Sequence, residues 1–221
     1  MSKVRKIFVT ICVLCSLLVF TLVGCGEETL ASHKDEDAFY VGGLSVKMLE
    51  ASYYIMERED FYNDIAKEEN PTNPKVYWNG YLFAAGSYFK TWVKQQAYEV
   101  CICDNIYYKE AIDNGFELEL AYQVLARDEA QSIYDSMTDK QKKQTELTLD
   151  DIYNIMLKKK YRAQYVESLV VTEELKSYPE GAAKALEMEG SYYKKLLEKY
   201  DVRINEDCIW NELELGSLTI N

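Results

Sequence analysis

Cysteines, histidines and paired carboxylates decide whether a chain can do covalent, acid–base or metal chemistry. This 221-residue sequence holds six cysteines and one histidine, His33. A Ser-His-Asp or Cys-His pair needs an imidazole beside the nucleophile, and no histidine follows residue 33. Zinc sites lean on His and Cys. Here Cys101 and Cys103 stand two apart on an expected helix, so they point to nearly opposite faces, and Cys208 is far along the chain. The phosphate loops G-x-x-x-x-G-K-S/T and G-x-G-x-x-G are absent from the sequence. Carboxylates are plentiful, but Asp150-Asp151 and Glu173-Glu174 stand where helices are expected to begin, and acids there favour the positive helix end. The acidic run "EDFYNDIAKEEN" (59–70) lacks the glycine of an EF-hand loop. The residues therefore give no catalytic set, no metal site and no cofactor, and the sequence reads as a non-enzyme.

One cysteine does carry a chemistry. Lys3, Arg5 and Lys6 precede 17 uncharged residues, Ile7 to Val23, and "LVGC" (22–25) closes that run ahead of the polar "GEETLASHKDEDA". A basic start and an apolar stretch are the layout of a secretory signal. The border matches the bacterial lipobox: an aliphatic, a second aliphatic or small residue, a small residue, then cysteine. The match implies transfer of a diacylglycerol to the Cys25 thiol and cleavage between Gly24 and Cys25, with Gly24 small enough to admit a peptidase. The alternative is an uncleaved N-terminal anchor with an incidental cysteine. The reading is a signal peptide over 1–24, a lipidated Cys25 with a polar tether over 25–38, and a body over 39–221. It places the body on the extracytoplasmic face of a cell membrane, held there by lipid; two or more acyl chains anchor well where one does not.

Removing the three signal cations leaves 22 bases against 37 acids, a net charge of −15. So acidic a surface does not seek nucleic acid or anionic headgroups. With Cys12 and Cys15 gone in the signal and Cys25 lipidated, Cys101, Cys103 and Cys208 remain. Two arrangements stay open: a disulfide such as Cys103–Cys208, worth on the order of 4 kcal/mol by chain entropy, or three free, buried thiols.

Apolar spacing near 3.6 predicts a mainly α, single-domain body of about six helices with short extended segments at both ends. "FYVGGLSV" (39–46) reads as an extended turn, and a helix follows with Ser45 as its cap. "KEENPTNP" (67–74) breaks it. Further helices are expected over Tyr77–Tyr88, Phe89–Asp113 and Leu118–Met137, with "DNG" (113–115) ending the second of these. Residues 138–147 read as polar and irregular. Thr148 with Asp151 forms a capping-box variant, Thr172 offers another cap, "SYPEG" (177–181) breaks the chain, and a last helix covers 182–200. The tail from Asp201 is expected to lie extended against the body.

Tyrosine stands out, with 19 copies. Neighbours on a helix are about 100° apart, so the doublets Tyr53-Tyr54, Tyr107-Tyr108 and Tyr192-Tyr193 should each turn one ring inward and one toward the surface. With Phe89 and Trp92 they make either core packing or a groove for extended, non-native peptide, a role aromatic rings suit through large apolar area and polar tips.

The order of segments resembles the SurA N-terminal helical domain. "FYVGGLSVKMLEASYYIM" (39–56) is similar to that domain's opening, "AYEVCICDNIYYKEAIDNGFEL" (97–118) to its long helix, "LTLDDIYNIMLKKKYRAQYVESLVVTEEL" (147–175) to its later helices, and "YYKKLLEKYDVRINEDCIW" (192–210) to the C-terminal helix that packs back. PrsA-like foldases of Gram-positive bacteria are lipoproteins with this domain, and in them a parvulin prolyl isomerase is inserted before the last helix. About 15 residues separate "TEEL" from "YYKKLL" here, too few for that insertion. The resemblance implies a chaperone for unfolded or partly folded secreted proteins without isomerase catalysis. The alternative is an adaptor lipoprotein that binds one folded envelope partner. An aromatic cleft walled by the long helix and the C-terminal helix favours the first; a bundle without a cleft favours the second.

Overall fold

The computed structural model describes residues 29–220, so the expected signal peptide, Gly24 and the expected lipidation site Cys25 lie outside the described residues. A short 3-10 turn, Leu30–His33, leads into strand β1 (Asp37–Val41) and strand β2 (Leu44–Lys47). Then come helices α1 (Met48–Glu69) and α2 (Pro74–Trp78), the hairpin β3 (Tyr81–Leu82) and β4 (Ser87–Tyr88), and the long helix α3 (Phe89–Asp113). Helices α4 (Leu120–Ser136), α5 (Asp139–Thr145), α6 (Leu149–Val170), α7 (Glu173–Lys176), α8 (Ala182–Ala185) and α9 (Ser191–Lys199) follow, then strand β5 (Arg203–Ile204) and a 3-10 turn, Ile209–Asn211. The domain is mainly helical, as expected. The helices beyond the expected six are short ones that a periodicity of 3.6 residues cannot register.

The β1–β2 hairpin turns through Gly42 and Gly43, whose φ angles of 55° and 85° suit a two-residue hairpin and resist a side chain. Gly42 has a second reason to be glycine: a Cβ there would lie 2.4 Å from the Tyr200 ring. β5 pairs with the other edge of β1, giving an antiparallel sheet in the order β2-β1-β5. Chain ends far apart in sequence are thus joined at one sheet. The helical layer stacks α4 on α6, α6 on α3, and α3 on α1. The core runs along the inner face of α3 through Phe89, Val93, Ala97, Ile102, Ile106 and Tyr107, all buried.

Capping boxes form where Thr148 meets Asp151 and where Thr138 meets Gln141, and Thr172 caps α7. Helix α3 runs over the expected residues, with Gly115 in the left-handed region just beyond it.

Five local expectations are corrected. Residues 30–38 are not a free tether, because Leu30, Ala31 and Ala38 are buried and the Met48 and Leu49 amides donate to the Glu36 and Lys34 carbonyls. Ser45 does not cap α1; it lies in β2 with its hydroxyl on Asp37, and the helix starts three residues later. Tyr77–Tyr88 is no single helix: α2 stops at Trp78, Gly80 follows, and Gly86 at φ 64° turns the β3–β4 hairpin. Residues 138–147 are not irregular, since the Thr138 box supports α5 over Asp139–Thr145. The last helix is broken into α8 and α9, with Gly190 at the N-cap of α9 and the Ser191 amide held by Glu180.

Candidate functional site

A cleft of about 400 Å³ opens between α1, α3, α6 and the α8 segment, bordered by Glu57, Arg58, Asp104, Lys159, Arg162 and Leu186 among others. Its walls are the long helix and the start of the C-terminal helical segment, the place where a peptide cleft was expected. Its chemistry is different. Asp104 is 1% exposed. It accepts hydrogen bonds from Tyr54 Oη at 2.9 Å and from Arg162 Nη1 at 2.8 Å. Glu57 takes Lys159 Nζ at 2.5 Å and Arg58 Nη2 at 3.0 Å. Burial pushes the Glu57 carboxyl up, but Lys159 and Arg58 outweigh it and hold it below its ordinary value. Lys159 also stands over the rings of Tyr53 and Tyr54, at 4.9 and 5.2 Å from their centroids.

The cleft continues a polar ladder through the helical layer. One turn along, Lys158 bonds Glu50 at 2.6 Å and Asn105 Oδ1 at 2.8 Å, while Asn105 Nδ2 reaches Glu50 at 2.8 Å. The α1 members, Glu50, Tyr54 and Glu57, are spaced at i, i+4 and i+7, one stripe of a helix. From α6, Lys158 and Lys159 pair with Glu50 and Glu57, and Arg162 pairs with Asp104 on α3. Sequence reasoning missed this ladder. Its signal was there, as charged residues at helical spacing inside otherwise apolar helices, but a charge on a helix is ordinarily read as a solvated face.

The eight aromatic residues expected to form a groove do not meet in one place. Tyr53 and Tyr54 are buried beneath the cleft. Phe89 and Trp92 pack with Tyr62, Tyr77 and Trp78, Phe89 lying 4.6 Å from Tyr77. Tyr107 and Tyr193 stack at 5.9 Å in the core, and the Tyr107 hydroxyl donates to the Leu186 carbonyl. Tyr108 is half-buried against Tyr161, and Tyr192 packs near Tyr178. Only Tyr107-Tyr108 keeps one ring in and one nearer the surface. Tyr53-Tyr54 and Tyr192-Tyr193 are buried as pairs, the second because Tyr193 stacks on Tyr107 while Tyr192 packs near Tyr178.

Exposed aromatics occur elsewhere. On the β3–β4 hairpin Phe83 is 90% exposed, with Tyr81 and Tyr88 about half exposed beside it. The Tyr81 ring lies 5.2 Å from Phe83 and 5.4 Å from Tyr88, edge to face. Reading 77–88 as one helix hid this knob, although alternating "YLF…SY" around Gly86 carries the hairpin signal.

The suggested Cys103–Cys208 link is not formed: all three described cysteines are free and buried. Cys208 sits in the turn after β5, its sulfur capping the Trp210 amide, whereas Cys103 lies in α3 beside Arg162 and Tyr193. Burial pushes the Cys103 thiol up to about 12 despite Arg162, so it is a poor nucleophile. Among the described residues, no group of three or more His, Cys, Asp and Glu is placed to hold a metal ion, and no helix is long and apolar enough to cross a membrane. No family model, no curated protein and no solved structure matches this chain.

Proposed function

We propose that this chain is a lipid-anchored, extracytoplasmic lipoprotein that binds polypeptide and turns over no substrate, acting as a chaperone-like holder of non-native secreted chains. The observation that carries the reading is the aromatic knob of Tyr81, Phe83 and Tyr88, three neighbouring rings presented to solvent on a helical body. Soluble proteins seldom leave such a patch open without a partner for it. The lipobox at Leu22–Cys25 and the order of helical segments support the same reading. The acidic body keeps a loaded complex soluble and off anionic lipid.

A second reading is an adaptor with one folded partner at the envelope. It is favoured by the walls of the cleft, which are paired charges instead of open aromatic rings. Affinity capture with the detergent-extracted chain separates the two: a spread of unfolded secreted proteins supports holding, and one stoichiometric partner supports the adaptor. The holding reading also requires that the chain suppress aggregation of a reduced model protein at stoichiometric amounts, and that Tyr81→Ser with Phe83→Ser weaken this about tenfold. No suppression at any ratio ends it. Mass spectrometry of the mature N-terminus tests the anchor; an unmodified Met1–Cys25 segment rejects it.

A further inference from the structure

Residues 212–220 are gripped in a manner proteins ordinarily use for a bound peptide. Glu59 on α1 is fully buried. Its Oε1 accepts from the main-chain amides of Gly216 at 2.5 Å, Ser217 at 3.1 Å and Leu218 at 3.1 Å. Its Oε2 accepts from the Thr219 amide at 2.6 Å and the Thr219 hydroxyl at 2.7 Å. Lys140 on α5 donates to the carbonyls of Ser217 and Ile220, at 2.9 and 2.5 Å. Lys94 on α3 donates to the carbonyls of Asn211 and Leu213, at 3.1 and 3.0 Å. Lys90 pairs with the Glu214 side chain at 2.7 Å. Three helices thus converge on one short stretch, and most of the contacts read main-chain atoms.

Side-chain recognition is confined to a few places. Leu215 and Ile220 are buried, while Glu214 and Ser217 stay exposed. Gly216, at φ 107°, lies flat on the Trp78 ring, and a Cβ there would come within 2.8 Å of it. The fit is incomplete: Trp78 is buried, and its indole N–H has no hydrogen-bond partner. A buried donor left unpaired costs free energy that a carbonyl from a differently seated strand recovers.

We propose that the groove of Glu59, Trp78, Lys90, Lys94 and Lys140 is a polypeptide-binding site, and that residues 212–220 are its built-in occupant, displaced by an external segment of the same chemistry. That segment is an irregular or extended stretch with a small residue flanked by apolar ones, because the groove reads four successive amides and allows no side chain over Trp78. The proposal rests on the polypeptide-binding reading and gives it a second site, distinct from the aromatic knob.

The test uses the full chain and a fluorescent synthetic peptide of sequence NELELGSLTI. Gly216→Val expels the chain's own segment and leaves the groove unchanged, so this variant should bind the peptide roughly tenfold or more tighter than wild type, the competing occupant being removed. Adding Glu59→Ala in the same chain should abolish that binding. A folded Gly216→Val chain that binds no peptide overturns the proposal. If that variant does not fold, hydrogen exchange on the wild type decides. Amides 216–219 should exchange roughly a hundredfold faster than the slowest amides of α3, through local opening. Exchange only at the global unfolding rate overturns the proposal. The outcome that separates it from the reading beneath it is a wild-type chain that still captures polypeptides while the folded Gly216→Val chain binds no peptide: the groove is then rejected and polypeptide binding stands.

Discussion

Glu57 and Glu59 are two residues apart on α1 and do opposite things. Glu57 faces the open cleft, where Lys159 and Arg58 neutralise it. Glu59 points to the other side of the helix, about 200° round, and is completely enclosed by the main chain of residues 216–219. One is balanced by charge in a cleft that solvent reaches, the other by amide dipoles where solvent is excluded. A carboxylate shut away from water is costly unless it receives several hydrogen bonds, and a run of consecutive amides supplies them without a cation. Helical phase alone assigns the two roles, and the difference separates an open surface from a filled one.

The comparison can be broken most forcefully at Glu59. Glu59→Ala strands four amides and a hydroxyl, the Thr219 pair among them buried, and should cost about 3 kcal/mol or more. For a domain of this size that lowers Tm by roughly 6–12 °C. Calorimetry would show it, and a shift of only a degree or two would mean the segment contributes little. Next comes Asp104→Ala in the cleft, which deprives the buried Tyr54 hydroxyl and Arg162 of their shared partner. Arg162 is about one-third exposed and regains water, so the loss should be smaller, about 2 kcal/mol, with Glu59→Ala clearly the worse of the two in urea melts.

Acid sharpens the contrast further. The Glu57 carboxyl is held below its ordinary value, so the stabilisation it gives is full above the ordinary carboxylate range and is lost as pH falls through the lowered value. Asp60, three residues on, is pushed up by burial against the pull of Gln141, so its stabilisation has the opposite sign: present below the ordinary value and lost as pH rises through the raised one. Replacing Glu57 with Gln should flatten the acid limb of a Tm–pH profile, and Asp60→Asn should leave that limb in place. The smallest expected effect is on the thiols. Cys101, Cys103 and Cys208 should resist a thiol reagent in the native chain, and peptide mapping should find all three labelled after unfolding without reductant. An unlabelled Cys103–Cys208 pair would show a disulfide.

The long elements were legible. Helix α3 and the Thr148–Asp151 cap follow from spacing and from one threonine with its partner three residues on, which are local properties of the chain. The β3–β4 hairpin was lost because aromatic residues suit either structure and the run is short. The ladder of Glu50, Asp104 and Arg162 was lost because each charge is ordinary on its own helix and becomes part of a site only across three. Glu59 was lost for the same reason: its partners lie some 160 residues away, and main-chain amides have no signature in a sequence.

By itself, the sequence determined the helical class, the Thr148 and Thr172 caps, the Gly42-Gly43 turn and the composition border at Cys25, because each depends on residues adjacent in the chain. The tertiary structure alone decided which carboxylates are enclosed, that the tyrosine doublets serve mainly as core and the hairpin rings lie open, and that residues 212–220 fill a groove. Those outcomes depend on which faces distant segments turn toward one another, and on the cost of leaving a buried polar group without a partner.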